Sequence, residues 1–181
     1  MLKLNLGCWT RPIKNLDWVN IDKVYVPGVD LVEDCRLLRS FDIESVDIIY
    51  ASHILDQFGR WEYLDALRRW HTLLKPQGLL YISVPDFDAI VTAYQFDTGL
   101  QRLQGLLHGG QDHPGWTRSV SWNFDSLCGD LWRAGFKPGS IRRYDWESIP
   151  DFASRDDYSQ SYLPHLDKTG RLMSLNLQAE K

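Results

Sequence analysis

Basic charge is not in excess in this chain: 20 Lys and Arg stand against 24 Asp and Glu, for a net charge of −4 and a pI near 5.7. That balance argues against a nucleic-acid partner, because phosphate binding needs a basic stripe, and the pairs Arg68-Arg69 and Arg142-Arg143 are too local to supply one. Cysteine is scarce. Cys8, Cys35 and Cys128 are odd in number and unrelated in spacing, with no CxxC pair and no His cluster, which excludes a disulfide framework and a zinc site and leaves reduced thiols as the expectation. His108, His113 and His165 match no standard ligand spacing either, so no metal is expected. No apolar run approaches the roughly 20 residues of a membrane span, so no membrane span is expected. A first strand that begins at residue 2 leaves no room for a leader, and a cytoplasmic location is the expectation. There is no repeat, low-complexity tract or linker-like shift in composition, so residues 1–181 are expected to form one domain.

What the chain does have is apolar content of 44%, enough for a substantial core, and eight Trp with eight Tyr. Several of these aromatics fall outside the expected core segments, where they suit a pocket wall or an interface. Strand and helix signals alternate through the first 145 residues, the pattern of an α/β fold around a central sheet. Leu2 to Leu6, Val19 to Asp22 and Val32 to Asp34 read as three short strands, Asp47 to Ala51 as a fourth and Leu79 to Val84 as a fifth. Between the last two, Leu64, Leu67, Trp70 and Leu74 recur at helical spacing and Lys75-Pro76-Gln77-Gly78 reads as the terminating turn. A helix capped by Asn123 or Asp125 carries Phe124, Leu127, Leu131 and Ala134 on one face and ends at Gly135. Final strands are expected at Ile141 to Tyr144 and Met173 to Ala179. The ten residues between Gly7 and Trp18, with Pro12 among them, are too few for a full crossover helix. Two long irregular stretches, about 95–122 and 145–170, would overhang the same edge of the sheet.

The chemistry-bearing positions sit at strand ends. Gly7 ends the first strand, where the absence of a side chain lets backbone approach a ligand. Asp22 ends the second, where a carboxylate can accept from both hydroxyls of a ribose, and Asp34 with Cys35 ends the third, where a carboxylate and the following N–H suit an adenine edge. Any one of these could be turn chemistry alone; three in register point to an adenosine-containing cofactor. The fingerprint of dinucleotide oxidoreductases is absent, since the loop has one glycine, little room for a helix and an acid too early in the chain.

Taken in order, LNLGC, VNID, DCRLLRSFDIESVDIIYASHIL, LLKPQGLLYISVPD, LWRAGF and SLNLQAEK resemble the motifs of class I S-adenosylmethionine-dependent methyltransferases, in the small type-11-like group. The resemblance spans nearly the whole chain and implies a Rossmann-like three-layer sandwich: a seven-stranded, mostly parallel sheet with the last strand antiparallel. It implies S-adenosylmethionine as cofactor, with Asn5, Gly7, Cys8 and Trp9 in the cofactor loop, Asp22 on the ribose, Asp34 and Cys35 on the adenine, and Ser52 near the methionine end. His53 then stands beside the methyl acceptor and is the candidate general base. The acceptor is expected to be a small molecule or a glycan intermediate. The chain departs from the family at Trp9 and Arg11, where glycines are usual, and at Asp56 and Gln57, where relatives carry Glu and His. Trp9 is either an obstruction or an aromatic wall beside a sulfonium. The loop His108-Gly109-Gly110-Gln111-Asp112-His113 and the residues Trp146, Phe152, Arg155, Asp156, Asp157, Tyr158, Tyr162 and His165 are further substrate-side candidates. The other class open to the chain is a methyltransferase-like domain that has lost its cofactor and serves as a scaffold.

Overall fold

The computed structural model describes residues 1–181 apart from 97, 114, 115, 154–158, 161, 166 and 168, so Arg155, Asp156, Asp157 and Tyr158 lie outside the described residues. Seven strands form one sheet: β1 (Lys3–Leu6), β2 (Trp18–Asp22), β3 (Leu31–Val32), β4 (Val46–Ser52), β5 (Leu74–Pro85), β6 (Arg142–Arg143) and, after a two-stranded hairpin of β7 (Tyr162–Leu163) and β8 (Arg171–Leu172), β9 (Ser174–Glu180). The order is β3-β2-β1-β4-β5-β9-β6, and β9 runs antiparallel to both neighbours while β1 to β5 are mutually parallel. The expected fold class, seven strands with the last one antiparallel, is therefore observed.

Period-two alternation sorts the side chains to two faces. Leu6, Ala51, Ile82 and Leu177 form one cross-strand row, with Ile49, Leu80 and Ala179 beside it, and all are buried. This face is covered by α1 (Tyr63–Leu73), through Ala66, Leu67, Trp70 and Leu73, and by α4 (Phe124–Ala134), through Leu127, Leu131 and Ala134. Asn123 and Ser126 cap α4 reciprocally, and Gly135, at φ +113, lets its N–H close the last turn on Leu131 and Trp132. The opposite face carries the row Asn20, Asn5, Tyr50 and Tyr81. There Tyr50 and Trp18 pack with Phe152 of the single-turn α5 (Pro150–Ala153), so an aromatic layer does what a helix does on the first face.

Several expectations need correction. Leu74 is not helical but already pairs with Val46 in β5, and the ladder resumes at Leu79 with Ile48, so Lys75 to Gly78 are looped out within the strand with Gln77 at φ +66. The stretch 95–122 is not irregular throughout, because α3 (Leu100–His108) occupies its first half. It packs on α2 (Phe87–Gln95), whose N-cap Asp86 accepts from the N–H groups of Asp88 and Ala89. No helix fills the β1–β2 connection, as its length required. Among the described residues no helix is long and apolar enough to cross a membrane.

Candidate functional site

The C-terminal ends of β1, β2 and β4 open onto one cleft of about 600 Å³, within the about 300–1,000 Å³ typical of small-molecule sites. At its centre Gly7 adopts φ +64, a conformation that L side chains rarely take, and a Cβ there would lie 2.9 Å from the side chain of Ile54. Trp9 follows at φ +43, which accounts for the preference for glycine at this place in the family it resembles. Its backbone is held by Asp22, whose Oδ2 accepts the Trp9 N–H at 2.9 Å and whose Oδ1 accepts the Val24 N–H at 3.0 Å. The rest of the loop is pinned from behind. Asn5 Nδ2 donates to Asn20 Oδ1 at 2.9 Å, the same oxygen accepts the Ile13 N–H at 2.7 Å, and Asn20 Nδ2 donates to Asp30 at 2.8 Å. Asn5 thus anchors the loop, and it lines a small separate cavity with Cys8 and Ser52 rather than the main cleft. Burial, with Asp22 and Asp30 adding to it, pushes the Cys8 thiol up to about 12, so it is a neutral packing group.

One end of the cleft is formed by the turn after β3. Trp70 Nε1 donates to the Cys35 carbonyl at 2.8 Å and Arg69 donates to the carbonyls of Leu37, Leu38 and Phe41, so α1 fixes this turn. Asp34 lines the cleft, but Arg36 holds its carboxylate through both Nε and Nη2, and that guanidinium keeps the acid below the usual carboxylate range. Glu62 takes the remaining Nη1 of Arg36.

At the other end, His53 leaves β4 at φ +53 and is buried. Its Nε2 lies 3.0 Å from Ser174 Oγ and its Nδ1 3.4 Å from Arg118 Nη1. Burial first, then the charges of Arg118 and Arg11, keep the imidazole well below its ordinary pKa and therefore neutral at pH 7. A ring so placed is better suited to positioning than to taking up a proton. Arg118 also forms an ion pair with Asp56, which is fully buried; burial raises the Asp56 pKa while Arg118 lowers it, and the net direction is up. Overhead, the indole of Trp9 packs against His113 and Trp116 at centroid distances of 5.6 and 5.7 Å, joining the glycine loop to the segment after α3.

No protein-family model matches this chain, and no curated protein matches it in sequence. Its structure, in contrast, is similar to those of solved methyltransferases. A SAM-dependent methyltransferase from Archaeoglobus fulgidus superposes with a TM-score of 0.59 at 12% identity, over 99% of this chain and 85% of that one. The 1,6-didemethyltoxoflavin-N1-methyltransferase of Burkholderia thailandensis, solved with 1,6-didemethyltoxoflavin and S-adenosylhomocysteine bound, gives 0.62 at 16% identity, over 99% and 70%. An S-adenosylmethionine-dependent methyltransferase from Mesorhizobium loti gives 0.55 at 15%, over 99% and 90%. The chain has the class I methyltransferase fold.

On this methyltransferase fold, Gly7, Trp9, Asp22, Asp34, Cys35 and His53 line the main cleft, together with Asp56 and Gln57. The glycine-bearing loop contributes Gly109, Gly110, Asp112 and His113. Phe152, expected at a substrate-facing loop, is instead buried in the aromatic layer, at 1% exposure, because its ring completes the core under β4 and β5, and Trp146 is buried as well, at 2% exposure. Tyr162 is half-buried in the hairpin and His165 is exposed. Sequence reasoning missed Arg102, Leu106, Trp116, Arg118, Leu163 and Met173. The spacing of Leu100, Leu103 and Leu107 was the available signal for the helix that carries the first two.

Proposed function

We propose that this cleft binds S-adenosylmethionine and that the chain is an enzyme transferring its methyl group to a small-molecule acceptor. The observation that carries the reading is the order of groups along the cleft: a glycine at left-handed φ just after β1, a carboxylate at the end of β2, an acid-bearing turn after β3, and a buried polar cluster after β4. The first three match, from one end to the other, what close backbone approach, a ribose and an adenine require. Asp22 uses one lone pair of each oxygen on backbone N–H groups, so each oxygen keeps capacity for a ribose hydroxyl. Trp9 and His53 both hold left-handed backbone at the cleft, the kind of local strain that concentrates at functional sites. When bound, the cofactor supplies an electrophilic methyl carbon on a sulfonium. The chain's part is alignment of the acceptor with that carbon, which can contribute several kcal/mol without any covalent residue. The Trp9 ring, which lines the cleft, would give the cation an aromatic neighbour.

A second reading, a scaffold that binds no cofactor, is favoured by one observation: Asp34, the adenine-side acid, is already bound by Arg36 through both oxygens. Calorimetric titration with S-adenosylmethionine and S-adenosylhomocysteine separates the two. Micromolar binding that weakens about tenfold or more in Asp22→Ala is the expected outcome. Folded protein that takes up neither ligand overturns the cofactor reading.

A further inference from the structure

The end of the cleft opposite the adenine-side turn holds a buried acceptor atom with nothing to accept from. Asp56 is 0% exposed and lines the cleft; Arg118 grips Oδ2, while Oδ1 has no hydrogen-bond partner among the described residues. Leaving such an oxygen unsatisfied is costly, so its position at a ligand cleft marks where a donor fits. The neighbouring His53 does not compete for that donor, because its ring is already engaged by Ser174 and faces Arg118. Leu106 on α3, Leu163 in the hairpin and Met173 just before β9 belong to one apolar cluster and line the cleft alongside the polar His53, Gln57 and Arg118. Gly105 leaves room among them, since a side chain there would meet nothing within 4 Å. Arg118 ties the acid to this wall, its Nε donating to the Gly105 carbonyl at 3.2 Å.

We propose that the methyl acceptor is a small molecule with an apolar body and a hydroxyl or amine group, the group donating to Asp56 Oδ1 and the body lying against Leu106, Leu163 and Met173. That the occupant is a methyl acceptor rests on the cofactor reading above; that the subsite takes such a molecule does not. A glycan fits poorly against the apolar cluster, because hydroxyls turned to it would be desolvated against aliphatic side chains with no partner. An organic anion fits worse, since its charge would meet a carboxylate.

The test is calorimetric titration of the wild-type protein with phenol, with toluene as the same shape lacking the donor, and with benzoate as the anion, each with and without saturating S-adenosylhomocysteine. Phenol is expected to bind about tenfold more tightly than toluene, with benzoate weakest, as one hydrogen bond to a buried carboxylate implies. Asp56→Leu should erase the preference for phenol, and Asp56→Asn, which keeps an acceptor oxygen, should retain part of it. Equal binding of phenol and toluene, no measurable phenol binding, or tighter binding of benzoate overturns the proposal on the wild-type protein alone, whether or not a variant folds. A phenol preference in protein that binds no S-adenosylhomocysteine would sink the cofactor reading and leave the subsite standing. Cofactor binding with no phenol preference would do the reverse.

Discussion

Two groups of aromatic rings lie on this fold, and they are put to opposite uses. Beneath β4 and β5, Phe152 stacks on Tyr50 at 4.0 Å with an interplanar angle of 14°, Trp18 meets both edge-on, and all three are buried. Above the cleft, Trp9, His113 and Trp116 pack at similar separations, but all three are half-buried and line the cleft. What separates the two uses is the remaining exposure and the strand end each group sits beside. The first group closes the core face beneath β4 and β5. The second couples the glycine loop to the segment after α3.

The largest effect that separates them is on stability. Phe152→Ala removes a fully buried ring and should cost about 3–5 kcal/mol, measured by urea denaturation, with S-adenosylhomocysteine affinity per folded molecule unchanged. Trp116→Ala should show the mirror image: a stability change within about 1 kcal/mol, as for a partly exposed side chain, and a several-fold loss of cofactor affinity. A Phe152 variant that loses affinity while remaining folded would mean that the two faces are coupled and the contrast is false.

The smallest effect is a pH slope. Because burial and Arg118 hold the folded imidazole of His53 well below 6.5, the unfolded chain takes up a proton near that pH which the folded chain refuses. The contribution to stability is therefore fully present above about 6.5 and lost as pH falls through the ordinary histidine range toward the folded value. Asp56, whose pKa burial raises against the opposing pull of Arg118, contributes in the opposite sense. His53→Gln should flatten the dependence of the denaturation midpoint between about pH 7 and 5, and an unchanged slope would show that the ring is not the group responsible.

The sheet was legible in the sequence because each strand carried its own signal: β-branched or aromatic runs between turn residues, with Gly7, Asp22 and Asp34 at the ends. Helix α4 was equally legible, since Asn123 and Gly135 mark its two caps. What failed to show was interaction at a distance. Lys75-Pro76-Gln77-Gly78 has the composition of a terminating turn, yet Leu74 pairs with Val46 before the chain loops out, a pairing no local pattern reports. Arg118 and Asp56 are 62 residues apart, and their ion pair exists only because α3 brings the later segment over the end of β4. Asp34 at the end of a strand has the pattern of an open acceptor, yet Arg36, two residues on, already holds it. Phe152 looked like a loop aromatic because its partners, Tyr50 and Trp18, lie on strands far earlier in the chain.

The distribution of indoles across these surroundings also makes the molecule its own optical instrument. Trp18, Trp70, Trp122 and Trp146 are buried and Trp61 and Trp132 face solvent at 85% and 62% exposure, so their emission is set by the core or by bulk water. Trp9 and Trp116 alone border the cleft. A molecule settling there changes the polarity around those two and no others, so occupancy can be followed by an emission shift in the unlabelled chain.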